Sequence, residues 1–135
     1  MKWSDGEPLT TEDVRFFIED AWFNTELYAS PMWQLRFDGG ANTSPATLEV
    51  IDDFTFKLTY AAPFGALPAH LTRWEAVGNG PSILGPSHFY KQFHNKYTDQ
   101  AKLEEMAKAN QLETWVQLYQ QRCGPTQWGI SVWQF

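Results

Sequence analysis

Few residues that carry acid–base, nucleophilic or metal chemistry are spaced for it in this sequence. His88 and His94 lie six positions apart, not the four that puts two imidazoles on one helix face, and His70 is far from both. We therefore expect three unrelated surface or capping histidines and no metal site. Cys123 is the single cysteine, which excludes an internal disulfide and a thiolate zinc site. Without a supporting motif, a lone cysteine is more often inert than nucleophilic.

The acidic residues form no catalytic pair. Asp52 and Asp53 are adjacent, and neighbours in a strand or turn point apart, so a turn accounts for both. Glu104 and Glu105 fit a solvated helix face. The chain has no G-x-S-x-G, H-E-x-x-H or P-loop pattern. The sequence therefore predicts no catalytic residue, no cofactor and no enzyme activity.

Aromatic residues are the remaining candidates for binding. They make up 16% of the 135 residues, with seven Trp and ten Phe. Such a surplus of aromatic residues either fills a large hydrophobic core or forms a surface that stacks on a ligand or on another domain. Trp33 and Trp74 fall in loop segments, where a ring can line a ligand cleft. Burial in the domain's own core is an equal alternative, because Trp is usually largely buried.

The charge balance disfavours two classes of partner. Ten basic against sixteen acidic residues give a formal net charge of −6. Binding to nucleic acid or to an anionic membrane depends on neutralising phosphates, so an acidic chain disfavours both. No apolar run of about 18 residues is present, and no signal peptide is visible in this chain.

The first predicted helix has a strong N-terminal signal. Thr10 is placed as the N-cap, and Asp13 stands at N3, a variant of the capping box. Apolar residues then recur with α-helical spacing to about Phe23, and we expect this stripe to dock on a sheet. The members of the stripe are Val14, Phe17, Ile18, Ala21 and Trp22.

Residues 47–60 predict a β-hairpin. Apolar residues alternate along both arms, and Asp52-Asp53 is the expected two-residue turn. The apolar positions are Leu48, Val50, Phe54, Phe56, Leu58 and Tyr60.

Several short helices are expected around this hairpin. Pro63 and Pro68 flank one candidate, Pro86 should occupy the first helical position of another, and further helices are expected over 99–109 and 113–121. The tail, QWGISVWQF, is a candidate final strand. The predicted fold class is α+β, with a small antiparallel sheet packed against several short helices.

Three segments resemble one known family. KWSDGEPLTTEDV, residues 2–14, resembles the signature of the family 5 extracellular solute-binding proteins, the peptide/nickel-type receptors of ABC importers. LEVIDDFTFKLTYAAP resembles the hairpin of that family, and GPSILGPSHFYKQFHNKY resembles a later helical segment. The resemblance covers residues 2–122 well and the last dozen loosely.

The resemblance implies a larger two-lobed receptor. Residues 1–135 would form a single α+β subdomain attached to its first lobe. The full-length receptor would be periplasmic or extracellular, lipid-anchored or secreted. It would capture a peptide or another small solute and deliver it to an ABC permease, without catalysis. The implied partners are the remaining lobes, the permease and the solute, with no nucleic acid.

Within such a subdomain, residues 27–33 and 73–81 could face the ligand cleft by position. We predict ligand contacts at Tyr28, Trp33 and Trp74, because a rigid ring offers stacking area at low entropy cost. The alternative is a free-standing, aromatic-rich module that binds carbohydrate or peptide.

Overall fold

The structure is a computed structural model, and it describes residues 1–29, 35–39, 44–72 and 84–123. Helices together with one small antiparallel sheet confirm the predicted α+β class. The elements in chain order are α1 (Thr11–Arg15), a π-helical segment (Phe16–Trp22), β1 (Thr47–Asp52), β2 (Thr55–Thr59), α2 (Leu67–Thr72), α3 (Ser87–Tyr90), a 3-10 turn (Lys91–Phe93), α4 (Gln100–Ala109) and α5 (Trp115–Cys123).

Two compact units make up the chain. One runs from Thr10 to Leu84, and the other joins Met1–Leu9 to the residues from Gly85 onward. That residues 1–135 act as a single subdomain stays a prediction. None of the helices in the described ranges is long and apolar enough to cross a membrane.

The first helix begins as predicted and then widens. Thr10 and Asp13 form the capping box, and the Asp13 carboxylate accepts the Thr10 backbone N–H at 3.0 Å. An α-helix to the end was expected, but Phe16–Trp22 is π-helical, and the Phe23 N–H donates to the Ile18 carbonyl at 3.1 Å. The wider turn brings together side chains five positions apart, which an α-helix keeps on different faces.

The predicted hairpin is present, but its turn is one residue later than expected. β1 and β2 pair antiparallel, with Leu48 opposite Leu58 and Val50 opposite Phe56, and a bulge at Ile51 shifts the register before Asp52. The turn is therefore Asp53-Phe54 rather than Asp52-Asp53.

The side chain of Asp52 stabilises this turn. Its carboxylate accepts the Phe54 N–H at 2.8 Å. That bond, followed by hydrogen bonding from Thr55, lowers the pKa of Asp52. Thr11 ties the turn to the start of α1, because its N–H donates to the Asp53 carbonyl at 2.9 Å and its hydroxyl to the Asp52 carbonyl at 2.7 Å.

The core of the unit from Thr10 to Leu84 lies between the first helix and the hairpin. As expected, the helix stripe packs on the sheet. The buried members are Val14, Ile18, Trp22 and Leu35, and the partly buried residues packed against them include Phe17, Phe23, Tyr28, Leu48, Phe56, Leu58 and Leu84. The alternation failed at the tip, where the bulge and the turn leave Val50 and Phe54 exposed.

The helix expected between Pro63 and Pro68 was placed wrongly, because α2 runs from Leu67 to Thr72, whereas the later helices follow the predicted segments with small shifts. Pro68 lies inside the first turn of α2 instead of flanking it, and Pro86 is the N-cap of α3 instead of its first residue. Both positions tolerate a missing N–H. The helix over 99–109 is confirmed as α4, whose N-cap Asp99 accepts the Ala101 N–H at 2.9 Å. The candidate strand in the tail lies outside the described residues.

In the other unit, the N-terminal residues fold back on themselves. Lys2 forms an isolated antiparallel bridge with Pro8, and the Trp3 N–H donates to the Glu7 carbonyl at 2.8 Å. Gly6 has a φ of +95°, which a glycine adopts without strain. These contacts form a tight turn, and Trp3 beside it in sequence is buried.

Candidate functional site

Tyr28 is the one predicted ligand contact that the structure describes. A short turn positions it, since the Tyr28 N–H donates to the Asn24 carbonyl at 3.0 Å. Its ring stacks on Trp22, with centroids 4.3 Å apart and planes 24° from parallel. The ring is partly buried against the core, so it is held in place and retains some exposed surface.

Trp33 and Trp74 lie outside the described residues, as do residues 30–33 of the first predicted cleft segment and the whole of the second, 73–81. The structure therefore brings Tyr28 together with Trp22 and leaves the roles of Tyr28, Trp33 and Trp74 in binding as predictions.

A second aromatic group was not singled out from the sequence. Phe37 stacks on Phe64, with centroids 4.2 Å apart and planes 12° from parallel, and Tyr60 meets Phe64 edge-on at 5.5 Å. All three rings are partly exposed. Burial raises the pKa of the Tyr60 hydroxyl, so the phenol stays protonated beyond its ordinary range. Of the three residues, the sequence pattern indicated only Tyr60, which ends the alternation of the second strand. Phe37 and Phe64 come from irregular segments, where no periodicity marks them.

Arg36 adjoins this group in sequence. Its side chain is partly buried, and its Nε is fully shielded from solvent without a hydrogen-bond partner. By contrast, Arg15 donates to both carboxylate oxygens of Glu12 at 2.7 Å, and its Nη1 lies 3.2 Å from Asp20. Arg36 is therefore a partly buried cation with an unused donor, a feature that carries no sequence motif.

His88 and His94 have separate partners, and the side chain of His70 lies outside the described part of the structure. His88 Nε2 lies 2.6 Å from Asp5 Oδ2, and this hydrogen bond is the main cause of the lowered pKa of Asp5. His94 was expected at the surface or at a cap, but it is buried. Three rings surround it edge-on at 5.6–5.8 Å, those of Tyr97, Trp115 and Tyr119. Its Nδ1 accepts the Lys96 N–H at 3.1 Å, which places the imidazole in a packing role.

Nucleophilic and metal chemistry gain no support from the described residues. Burial raises the pKa of the Cys123 thiol, which disfavours the reactive thiolate. In the ranges that the structure describes, no three His, Cys, Asp or Glu side chains are grouped so as to hold a metal ion. What these residues offer is ring stacking, apolar contact and one guanidinium donor. Such groups suit binding of a small solute.

The family follows from a comparison with protein-family models. The model described as bacterial extracellular solute-binding proteins, family 5 Middle, matches residues 1–112. The chain belongs to this family. The predicted resemblance is thereby confirmed, and the matched span contains the capped first helix, the hairpin and Arg36.

Two relatives show how much of a longer protein this chain matches. It is 34% identical over 100 residues to the periplasmic alpha-galactoside-binding protein of Rhizobium meliloti (strain 1021), a match that covers 71% of this chain and 13% of that relative. It is similar in structure to the oligopeptide-binding protein OppA, with a TM-score of 0.70 and 29% identity over 91% of this chain and 17% of OppA. The chain thus spans less than a fifth of either relative. Both names describe binding and not catalysis.

Proposed function

We propose that this chain is a subdomain of the extracellular or periplasmic solute-binding component of an ABC importer, which captures a peptide or another small solute and delivers it to a permease. The observation that carries the proposal is the family match over residues 1–112. In this proposal the remaining lobes of the receptor and the permease are its protein partners. Export or lipid anchoring would be a property of the full-length receptor.

The length comparison supports a contribution to a binding site made together with other segments. Ligand pockets bury most of the surface of a small molecule, and they often form between domains. A chain that spans 13% of one relative and 17% of another holds only a part of such an enclosure. We therefore expect weak or no solute binding by this chain alone.

The two relatives name two classes of ligand. The protein from Rhizobium meliloti is named for α-galactosides, and OppA is named for oligopeptides. Aromatic rings stack on either class, so the rings of Tyr28, Trp33 and Trp74 suit both. We propose peptide as the principal ligand, with α-galactoside as the second candidate.

A binding assay on two proteins tests the proposed function. The full-length receptor and the 135-residue chain are each titrated calorimetrically with trialanine and with the α-galactoside melibiose. We expect the receptor to bind one of them, and the chain to bind either one too weakly for calorimetry to detect. A micromolar affinity of the chain alone would instead establish the free-standing binding module.

Substitutions in the receptor then test the predicted contacts. Tyr28→Leu and Trp74→Leu should each weaken solute binding by about 5- to 100-fold, because stacked anchors lose contact area. Tyr97→Leu, in the other compact unit, is the matched control and should leave affinity unchanged. Equal affinities of all three variants would remove Tyr28 and Trp74 from the site.

A further inference from the structure

We propose that Arg36 binds a carboxylate group that the described residues of this chain do not provide. The carboxylate comes from the captured solute or from an acidic side chain elsewhere in the receptor, and both sources present the same chemistry. If the solute provides the carboxylate, Arg36 is a specificity determinant for peptides over neutral sugars. That version of the proposal rests on the proposed function.

The argument begins with the unmet donor. The Nε of Arg36 is inaccessible to water and has no acceptor. A buried donor without a partner loses its hydration and gains nothing in return, and this loss is larger for a charged group. Most buried polar groups in folded proteins are paired, so an exception indicates an absent partner or ion.

The backbone around Arg36 holds it in place. Leu35 is 1% exposed and belongs to the core, and its carbonyl accepts the Ala46 N–H at 2.6 Å. On the other side, Phe37 is stacked on Phe64. Both neighbours are therefore anchored, so the backbone of Arg36 is held in place.

The carboxylates in the described ranges do not meet this demand. Asp38, two residues further on, accepts the Ser44 N–H at 3.3 Å. The described part of the chain shows no acidic side chain paired with Arg36, although the sequence has sixteen acidic residues. In the same ranges, Arg15 binds Glu12 and Arg122 donates to Asn110 at 2.6 Å.

A carboxylate fits the geometry of a guanidinium. The planar group offers several N–H donors in a fixed fork, which matches the two oxygens of a carboxylate and pairs its charge. A sugar hydroxyl accepts one bond and leaves the charge unpaired. A free peptide C-terminus, or an acidic side chain, satisfies both needs.

The first arm of the test observes the Arg36 Nε–H directly. The chain has only four arginines, so its ¹H–¹⁵N spectrum contains few Nε signals and each can be resolved. The 135-residue chain is titrated with trialanine, with its C-terminal amide and with sodium chloride at equal ionic strength. If the solute is the source, only the free acid shifts the Arg36 signal, and the Arg15 signal stays in place.

The second arm uses the full-length receptor. Its affinity for trialanine is measured for the wild type, for Arg36→Gln and for the charge-matched control Arg122→Gln. If the solute is the source, Arg36→Gln weakens binding by about 10- to 100-fold, the range for a charged hydrogen bond, and the control does not. If the receptor is the source, Arg36→Gln lowers the melting temperature of the ligand-free receptor and the control does not.

Stability of the chain alone separates this role from a structural one. Arg36→Met keeps the apolar stem and removes the unpaired charge, so the chain should melt at the same temperature or higher. A structural arginine would give a lower melting temperature.

The outcomes separate the two proposals. The carboxylate site alone is overturned by one combination of results. Trialanine leaves the Arg36 signal in place, and Arg36→Gln changes neither the affinity nor the melting temperature of the receptor. A receptor that binds no solute, but in which Arg36→Gln lowers the melting temperature, contradicts the proposed function and supports the carboxylate site.

Discussion

The first helix and the segment from Leu35 to Gly39 belong to one compact unit, yet their arginines have opposite surroundings. Arg15 contacts Glu12, Glu19 and the buried Asp20, all on its own helix. Arg36 lies in an irregular segment, and its buried Nε has no acceptor. A helix brings partners to an arginine through its own spacing, whereas a loop arginine depends on a partner from elsewhere. The difference identifies Arg36 as the position where a hydrogen-bond acceptor is missing among the described residues.

The largest effect is expected at Leu35, which anchors the second of these segments. Leu35→Ala should reduce the free energy of unfolding by about 3 kcal/mol, because it removes buried methyl groups and leaves a cavity. Urea unfolding followed by tryptophan fluorescence measures the change. Val50→Ala is the control, with an expected loss below about 0.5 kcal/mol at an exposed site. A loss at Leu35 as small as the control would show that the segment is not anchored by the core.

The next effect compares the two arginines directly. Arg15→Met should lower the free energy of unfolding by about 2 kcal/mol, because Asp20 is buried and loses one of its partners. Arg36→Met should not lower it. The same urea experiment measures both, and equal destabilisation by the two substitutions would contradict the contrast.

A smaller effect is expected at the cap of the first helix. Asp13→Ala should reduce the free energy of unfolding by about 1 kcal/mol, because the Thr10 N–H loses its acceptor. Glu105→Ala removes one acidic charge from an exposed position of α4 and is the control. If the two variants are equally stable, the capping box does not contribute and the first helix owes its stability to packing alone.

The smallest effect concerns Tyr60, beside the stacked pair of Phe37 and Phe64. Burial raises the folded-state pKa of Tyr60 above 10.0, so the neutral phenol is favoured in the folded chain. The corresponding stability is present below pH 10 and is lost as pH rises through the raised folded pKa. In an alkaline titration followed by tyrosinate absorbance, Tyr60→Phe should remove a late-titrating component. The same component should be missing from the wild type in urea, and its persistence in Tyr60→Phe would assign it to another tyrosine.

Local patterns predicted the elements better than their details. The cap at Thr10 and Asp13 and the existence of the hairpin were predictable because both depend on neighbours in sequence. The π-helical segment was not, since its apolar spacing matches an α-helix and the wider turn involves Arg15 and Asp20. The turn lies one residue later than predicted because the bulge at Ile51 shifts the register. A bulge depends on how the two strands pack, which the alternation of residues does not reveal.

The candidate site was predictable only in its chemistry. An excess of aromatic residues indicated stacking surfaces, and Tyr28 is stacked, although on Trp22 of the chain's own core. Arg36 carried no signal, because a missing partner is a property of tertiary structure. The pairing of Phe37 with Phe64 joins residues far apart in sequence, and no periodicity links them.

The exposed hairpin affects how this chain behaves at high concentration. Phe54 is 77% exposed and Ile51 59%, and the sheet in the described ranges has only two strands. Open strand edges beside apolar side chains favour pairing between molecules. The bulge at Ile51 bends one edge strand. The Glu49–Lys57 ion pair, at 3.2 Å, puts charged side chains between the cross-strand pairs Leu48–Leu58 and Val50–Phe56. Self-association should therefore be limited to crowded solutions, and a charge at position 54 should raise the solubility limit without altering the fold.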